Sequence, residues 1–286
     1  MTTYAPIMPS VAGNQRLACV ALRWTDNPGA SLNAVKAAGE STAQNFKRLS
    51  NGKFNFTSTA YEIAVPFEHY NKNVGQAVTY AKAHLEAKGV KAGKDLTYAM
   101  VNNNAGTGSH SVGDTSNILD TLATTFYHEI GRDDPINLGS SGAFKGTPPV
   151  YADQADGTTF MGHFASNELT ASQLYGLGWL NDTQMALYDM NGGAQTFTVF
   201  NLNQAIGTNN LIGVMINDGI SQKPLFLSRP KFHNGNIEWA LHLGVGATYR
   251  GSERVEVFGK TVTYQGLTFT QTVSDANSAT IEIKPQ

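Results

Sequence analysis

Along the first hundred residues the apolar positions switch between strand-like and helix-like spacing. Residues 16–24 (RLACVALRW) form a nearly continuous apolar run that reads as a buried strand. Ser31 then stands where a helix N-cap is wanted, and Leu32, Val35, Phe46 and Leu49 recur behind it at helical spacing. Asn51-Gly52 is a turn signal, after which KFNFTSTAYEIAVPF alternates like a strand. A second helix is predicted over 74–88, closed by Gly89, and another short strand over 96–101. The GTGSHSVGD stretch reads as loop or irregular edge strand.

The most informative periodicity runs over residues 118–131, where Leu119, Leu122, Ala123, Phe126 and Ile130 make one stripe. At about 100° per residue, His128 and Arg132 fall on the opposite side, with Glu129 toward the edge of the stripe. Such a helix is expected to bury its stripe and present His128, Glu129 and Arg132 to a cleft. Asp133-Asp134-Pro135 should stop it, because a residue before proline avoids the α region. Residues 136–160 read as a Gly-, Ser- and Pro-rich connection, and LTASQLYGLGWL as a short helix running into a turn. Beyond residue 191 short alternating runs such as QTFTVFNL, IEWALHLGV and ATIEIKP succeed one another between turn residues. That texture predicts an antiparallel β-sandwich. The expected organisation is therefore α+β: an α/β domain over 1–190, then a β-sandwich over 191–286.

Composition narrows the setting. The chain has 286 residues, is 41% hydrophobic, and is only 15% charged against roughly 25% for ordinary soluble domains. Low charge with abundant Gly, Asn, Thr and Ser points to an extracellular or particle-associated protein. A net charge of -2 with no Lys/Arg run gives no footprint for nucleic acid or an anionic membrane. No run of about 18 apolar residues predicts a membrane span, and MTTYAPIMPSVAGNQ does not read as a signal peptide. Cys19 is the single cysteine, so any metal must be held by histidines and carboxylates.

His128 and Glu129 begin a helix motif of the HExxH kind, in which two histidines one turn apart converge on one ion and the glutamate activates a bound water. Downstream, VYADQADGTTFMGHFASNELTASQLYGLGWLND carries Tyr151, Asp153, Met161, Gly162, Leu177, Gly178, Trp179 and Leu180 in a set order. Upstream, AQNFKRLSNGKFNFTS carries Phe46, Ser50, Gly52 and Lys53. In these segments the chain resembles the gametolysin-like metzincin zinc metallopeptidases, and with the trailing β domain the resemblance covers most of its length. It implies a metzincin-like domain with a twisted mixed sheet and an active-site helix, Zn²⁺ as cofactor, His128 as a ligand, Glu129 as the catalytic base, and Met161-Gly162 as the methionine turn beneath the metal. It also implies an extended peptide or protein as substrate, held along an edge strand for which residues near 109–113 are the candidates.

The departure from the family motif is specific. HExxHxxGxxH would have its second histidine at 132, where this chain has Arg132, and its third at 138, where it has Leu138. With RDDP taken as an insertion, Ile136 and Gly142 replace the two later histidines instead. A guanidinium has no free lone pair for a metal, and Arg132 is expected to pair with Glu129 or Asp134 and so replace the ion in the site. His163, Asp133, Asp134 and His110 are the substitutes that could rebuild a ligand set, whereas His69, His84, His233 and His242 lie outside ligand spacing and read as structural. Two function classes emerge: a zinc endopeptidase with a rearranged site, or a non-catalytic structural or binding protein, secreted or one component of a larger assembly, on the same scaffold.

Overall fold

The computed structural model describes residues 10–91, 93, 95–103, 105, 109–112, 114–145, 147–162, 166–181, 183–216, 223–232, 234–245 and 249–286. The chain is mixed α+β, mostly strands with few helices, and divides into two compact units: Val11–Leu138, and Gly139–Gln286 together with Ser10. The change of texture near 191 therefore lies inside the second unit. Its strand over Ser141–Lys145 pairs with one over Gly251–Phe258, which binds the 139–190 stretch to the C-terminal strands.

In the first unit, β1 (Gly13–Arg23), β2 (Phe54–Ala64), β3 (Leu96–Val101), β4 (His110–Val112) and β5 (Thr115–Ile118) form one sheet in the order β2-β1-β3-β5-β4. Neighbours are parallel except β4, which runs antiparallel to β5 at the edge. This is the mixed sheet expected from the sequence, with its edge strand inside residues 109–113. Because β1 is covered on both faces, its apolar run is unbroken. Ala18, Val20 and Leu22 pack with Val74, Ala77, Ala81 and Leu85 of α2 (Val74–Ala87).

The intervening Cys19 faces α1 (Leu32–Leu49), where Gly39 comes so close that a Cβ there would collide with Cys19 Sγ. Ser31 caps α1, accepting from Ala34 N–H, and Lys47 and Arg48 sit favourably in its last turn. Ser50 then fastens helix to strand: its Oγ donates to Phe54 O (2.9 Å) and accepts from Phe54 N (3.0 Å), while Asn51 and Gly52 take positive φ.

The helix bearing His128 and Glu129 is shorter than the 118–131 expected. It is α3 (Ala123–Arg132), preceded by β5 and by a turn in which Asp120 Oδ1 accepts from Leu122 N–H. Tertiary pairing overrides the helical period here, because residues 115–118 are claimed by β3 through the parallel ladder. Leu119 and Leu122 consequently leave the stripe, and Leu122 is 62% exposed, while Phe126 and Ile130 are buried as expected. Tyr127 OH meets Ser41 Oγ at 2.6 Å, tying α3 to α1.

In the second unit, residues 136–160 hold β6 (Ser141–Lys145) and β7 (Val150–Ala152) rather than connection alone. Then come α4 (Ala171–Gly176), β8 (Met185–Tyr188), β9 (Gln195–Phe200), α5 (Leu202–Ala205), β10 (Gly213–Ile216), β11 (Leu225–Ser228), β12 (Trp239–Val245), β13 (Gly251–Phe258), β14 (Thr261–Tyr264), β15 (Leu267–Ser274) and β16 (Ser278–Pro285). One sheet has the order β7-β6-β13-β12-β11-β10-β8 and the other β14-β15-β16-β9.

The first of these sheets is mixed rather than wholly antiparallel, since β6 with β13 and β8 with β10 run parallel. A single hydrophobic cluster draws Val214, Leu227, Trp239 and Leu241 from the first sheet and Phe197, Phe269, Ile281 and Ile283 from the second. Thr170 and Gln173 cap α4 reciprocally, and the helix ends as Gly178 N–H reaches Tyr175 O and Trp179 N–H reaches Leu174 O, with Gly178 at φ +67°. No helix among the described residues is long and apolar enough to cross a membrane.

Candidate functional site

Both polar residues at the heart of α3 are hidden from water, His128 at 1% and Glu129 at 2% exposure. Arg132, at the last helical position, is exposed, and no ion pair joins it to Glu129 or Asp134 among the described residues. The helix thus does not present the three side chains together. Arg132 leaves the protein interior because it falls in the final turn, just ahead of the chain reversal at Asp133.

Glu129 is instead one end of a chain of polar groups. Ser111 Oγ, from the edge strand β4, lies 2.7 Å from Glu129 Oε2 and 2.8 Å from Glu129 O. Ser111 Oγ and Ser116 Oγ are 3.2 Å apart, and Ser116 Oγ is 2.5 Å from Asp133 Oδ2. Asp133 is 1% exposed, and its other oxygen, Oδ1, has no hydrogen-bond partner. Burial pushes the Asp133 carboxyl up to about 8, with the neighbouring charge of Glu129 acting in the same direction and the Ser116 hydrogen bond opposing. Ser111 Oγ donates to Glu129 and Ser116 Oγ to Asp133, so two neighbouring hydroxyls link the two acidic side chains.

The second unit contains a buried carboxylate of opposite character. Asp156 accepts from His242 Nε2 (2.9 Å), Ser141 Oγ (2.8 Å) and Thr158 Oγ1 (2.7 Å), and Arg254 Nη1 lies at 3.4 Å. Burial raises its pKa, but the charge and hydrogen bond of His242, then Arg254 and Thr158, outweigh that and bring it down to about 2. Ser141 Oγ also meets Ser252 Oγ at 2.6 Å. The serine touches the carboxylate rather than the imidazole, so this is a structural ion network and not a nucleophile with its base. Met161 and Gly162 belong to the same neighbourhood. Met161 is fully buried and its carbonyl accepts from Ser141 N–H (3.1 Å), and a Cβ on Gly162 would collide with Asp156 O.

The residues at the family's ligand positions do not fit zinc. A catalytic site needs three protein donors and an open position. His128 is one. Arg132 is exposed and has no lone pair, Ile136 and Leu138 are buried hydrocarbon, and Gly142 lies within β6 without a side chain. Among the substitutes, Asp133 is committed to Ser116, and Asp134 is exposed, its carbonyl accepting from Gln15 and Thr97. His110 takes its place in the β4 ladder opposite Asn117, and His163 and His233 lie outside the described residues.

His242 proves to be the partner of Asp156, and His69 hydrogen-bonds Asn102 O at 2.9 Å. Ser111, Ser116, Asp156 and Arg254 had no sequence signature, since a lone serine or arginine carries no period. Comparison with family models, curated proteins and solved structures returned no match.

Proposed function

We propose that the chain is a metzincin-like protein that uses a peptidase scaffold to bind an extended peptide or protein rather than to cleave it. The observation that carries this is the state of Glu129. The residue that would take a proton from an attacking water is buried and already accepts from Ser111 Oγ at 2.7 Å, within a hydroxyl network that reaches buried Asp133. Arg132, at the second ligand position, adds that the motif cannot gather its ion.

The scaffold half of the proposal is supported by the mixed sheet with an antiparallel edge strand, by the Ser50 clasp between α1 and β2, and by the glycine-ended α4. A β-sandwich for the second unit is supported by the hydrophobic cluster shared between its two sheets. The peptide would add as a strand along β4, the outermost strand of its sheet among the described residues, through main-chain hydrogen bonds. The low charge supports an extracellular or particle-associated setting.

Elemental analysis after zinc loading, together with a fluorogenic casein assay and anisotropy of labelled casein peptides, tests the proposal. Saturable peptide binding without stoichiometric zinc, and with the same negligible cleavage in wild type and Glu129→Gln, is expected. One zinc per chain with casein cleavage that vanishes in Glu129→Gln would establish the hydrolase instead.

A further inference from the structure

A cavity of about 410 Å³ lies within the second unit, at none of the positions that the peptidase resemblance singles out. Its lining includes Asn167, Glu168, Asn203, Lys231, Phe232 and Asn234. Three short segments build it, and each is fixed before any ligand arrives. The 166–168 segment is held by Ser166 Oγ donating to Thr158 O (3.1 Å) and by Phe160 N–H donating to Glu168 O (2.9 Å). The turn leading into α5 is held by Arg229 Nη1 on Asn201 Oδ1 (2.8 Å) and by Leu202 N–H on Arg229 O. The 231–237 turn is closed by the Lys231–Ile237 bridge and by Phe232 N–H on Asn236 O (2.9 Å). Behind it the Arg254 guanidinium sits 5.2 Å from the Phe232 ring centre.

The chemistry of the walls selects the ligand. Cavities that take acyl chains or flat drug-like molecules are mostly apolar, whereas this one has a single aromatic ring among amides and charges. Glu168 and Lys231 both line it, so a polyanion would meet a carboxylate and a polycation an ammonium. What remains is a neutral molecule with many groups that both donate and accept. Asparagine amides offer the same dual capacity, and Phe232 offers a small apolar surface. At about 410 Å³ the space lies near the low end for small-molecule sites.

We infer that this cavity is a glycan-binding site for a short neutral oligosaccharide. The inference stands apart from the fate of Glu129 and would hold in an active peptidase as well. Isothermal titration and saturation-transfer NMR on the full chain, with maltotriose, cellotriose and triacetylchitotriose as probes, test it. At least one is expected to bind saturably in the sub-millimolar range. Asn203→Ala, and separately Asn234→Ala on the exposed rim, should each weaken it about tenfold or more while the thermal melt stays in place. Absence of saturable binding by all three sugars at about 10 mM would overturn the inference. So would unaltered sugar affinity in both variants, or displacement of the sugar by inorganic phosphate or dodecanoate.

Discussion

Asp133 in the first unit and Asp156 in the second are equally hidden from water, at 1% and 0% exposure, yet their carboxyls move in opposite directions. Asp133 has one hydroxyl partner, an unpartnered oxygen and acidic neighbours, and burial carries it up to about 8. Asp156 suffers the same desolvation but faces His242, Arg254 and two hydroxyls, and it ends at about 2. Burial alone therefore does not set the charge of an interior carboxyl. The number and sign of its partners decide, and they make one aspartate a stored proton and the other a fixed anion.

Removing the fixed anion should have the larger effect. Asp156→Ala would leave His242 and Arg254 facing a void inside the second unit, and a loss of about 3–5 kcal/mol is expected from urea unfolding. A loss below about 1 kcal/mol would mean that the network contributes little. The wild-type pH dependence is set by the sign of the shift. Asp156 titrates lower in the fold than its ordinary 3.8, so its contribution is complete above about pH 4 and is lost as pH falls toward 2.

The next effect is at Asp133, where the sign is reversed. Folding keeps a proton that the unfolded chain releases near 3.8, so stability should fall by up to about 1.4 kcal/mol per pH unit between about pH 4 and pH 8. Asp133→Asn, which mimics the protonated form, should flatten that slope and gain on the order of 1–3 kcal/mol at pH 7. A variant with the parental slope would show that Asp133 is ionised in the fold. Smallest of all is Arg132→His. At an exposed position stability should stay within about 0.5 kcal/mol, and zinc affinity by titration should not rise. A tight new zinc site would reveal further ligands close to His128.

Elements whose cause is local were legible in the sequence. Ser31 with its helical stripe, the Asn51-Gly52 turn and the Thr170–Gly178 helix carry caps and breakers within a few residues, and each lies where it was expected. The elements that escaped it were set from a distance. Ile118, expected to open the helix, is taken by the β3 ladder, and β6 is a strand because β13 pairs with it. At the site, periodicity placed His128 and Glu129 on the proper helix but could not foresee that Ser111 and Ser116, from two strands, would occupy the glutamate and the aspartate. The Asp156 network was equally invisible, being gathered from residues 141, 156, 158, 242 and 254.

The partnership of β6 with β13 also bears on synthesis. The first unit, Val11–Leu138, contains all its strands by the time residue 138 has emerged from the ribosome. Ser141–Lys145 comes out directly afterwards but must wait for Gly251–Phe258 before its parallel partner exists. At about 5–20 residues per second that interval lasts roughly 5–20 s, in which the β6–β7 hairpin stands with the β6 edge open. A pause in translation beyond residue 145 would lengthen that exposure, and misassembly of the growing chain should be most sensitive to the supply of chaperones at that stage.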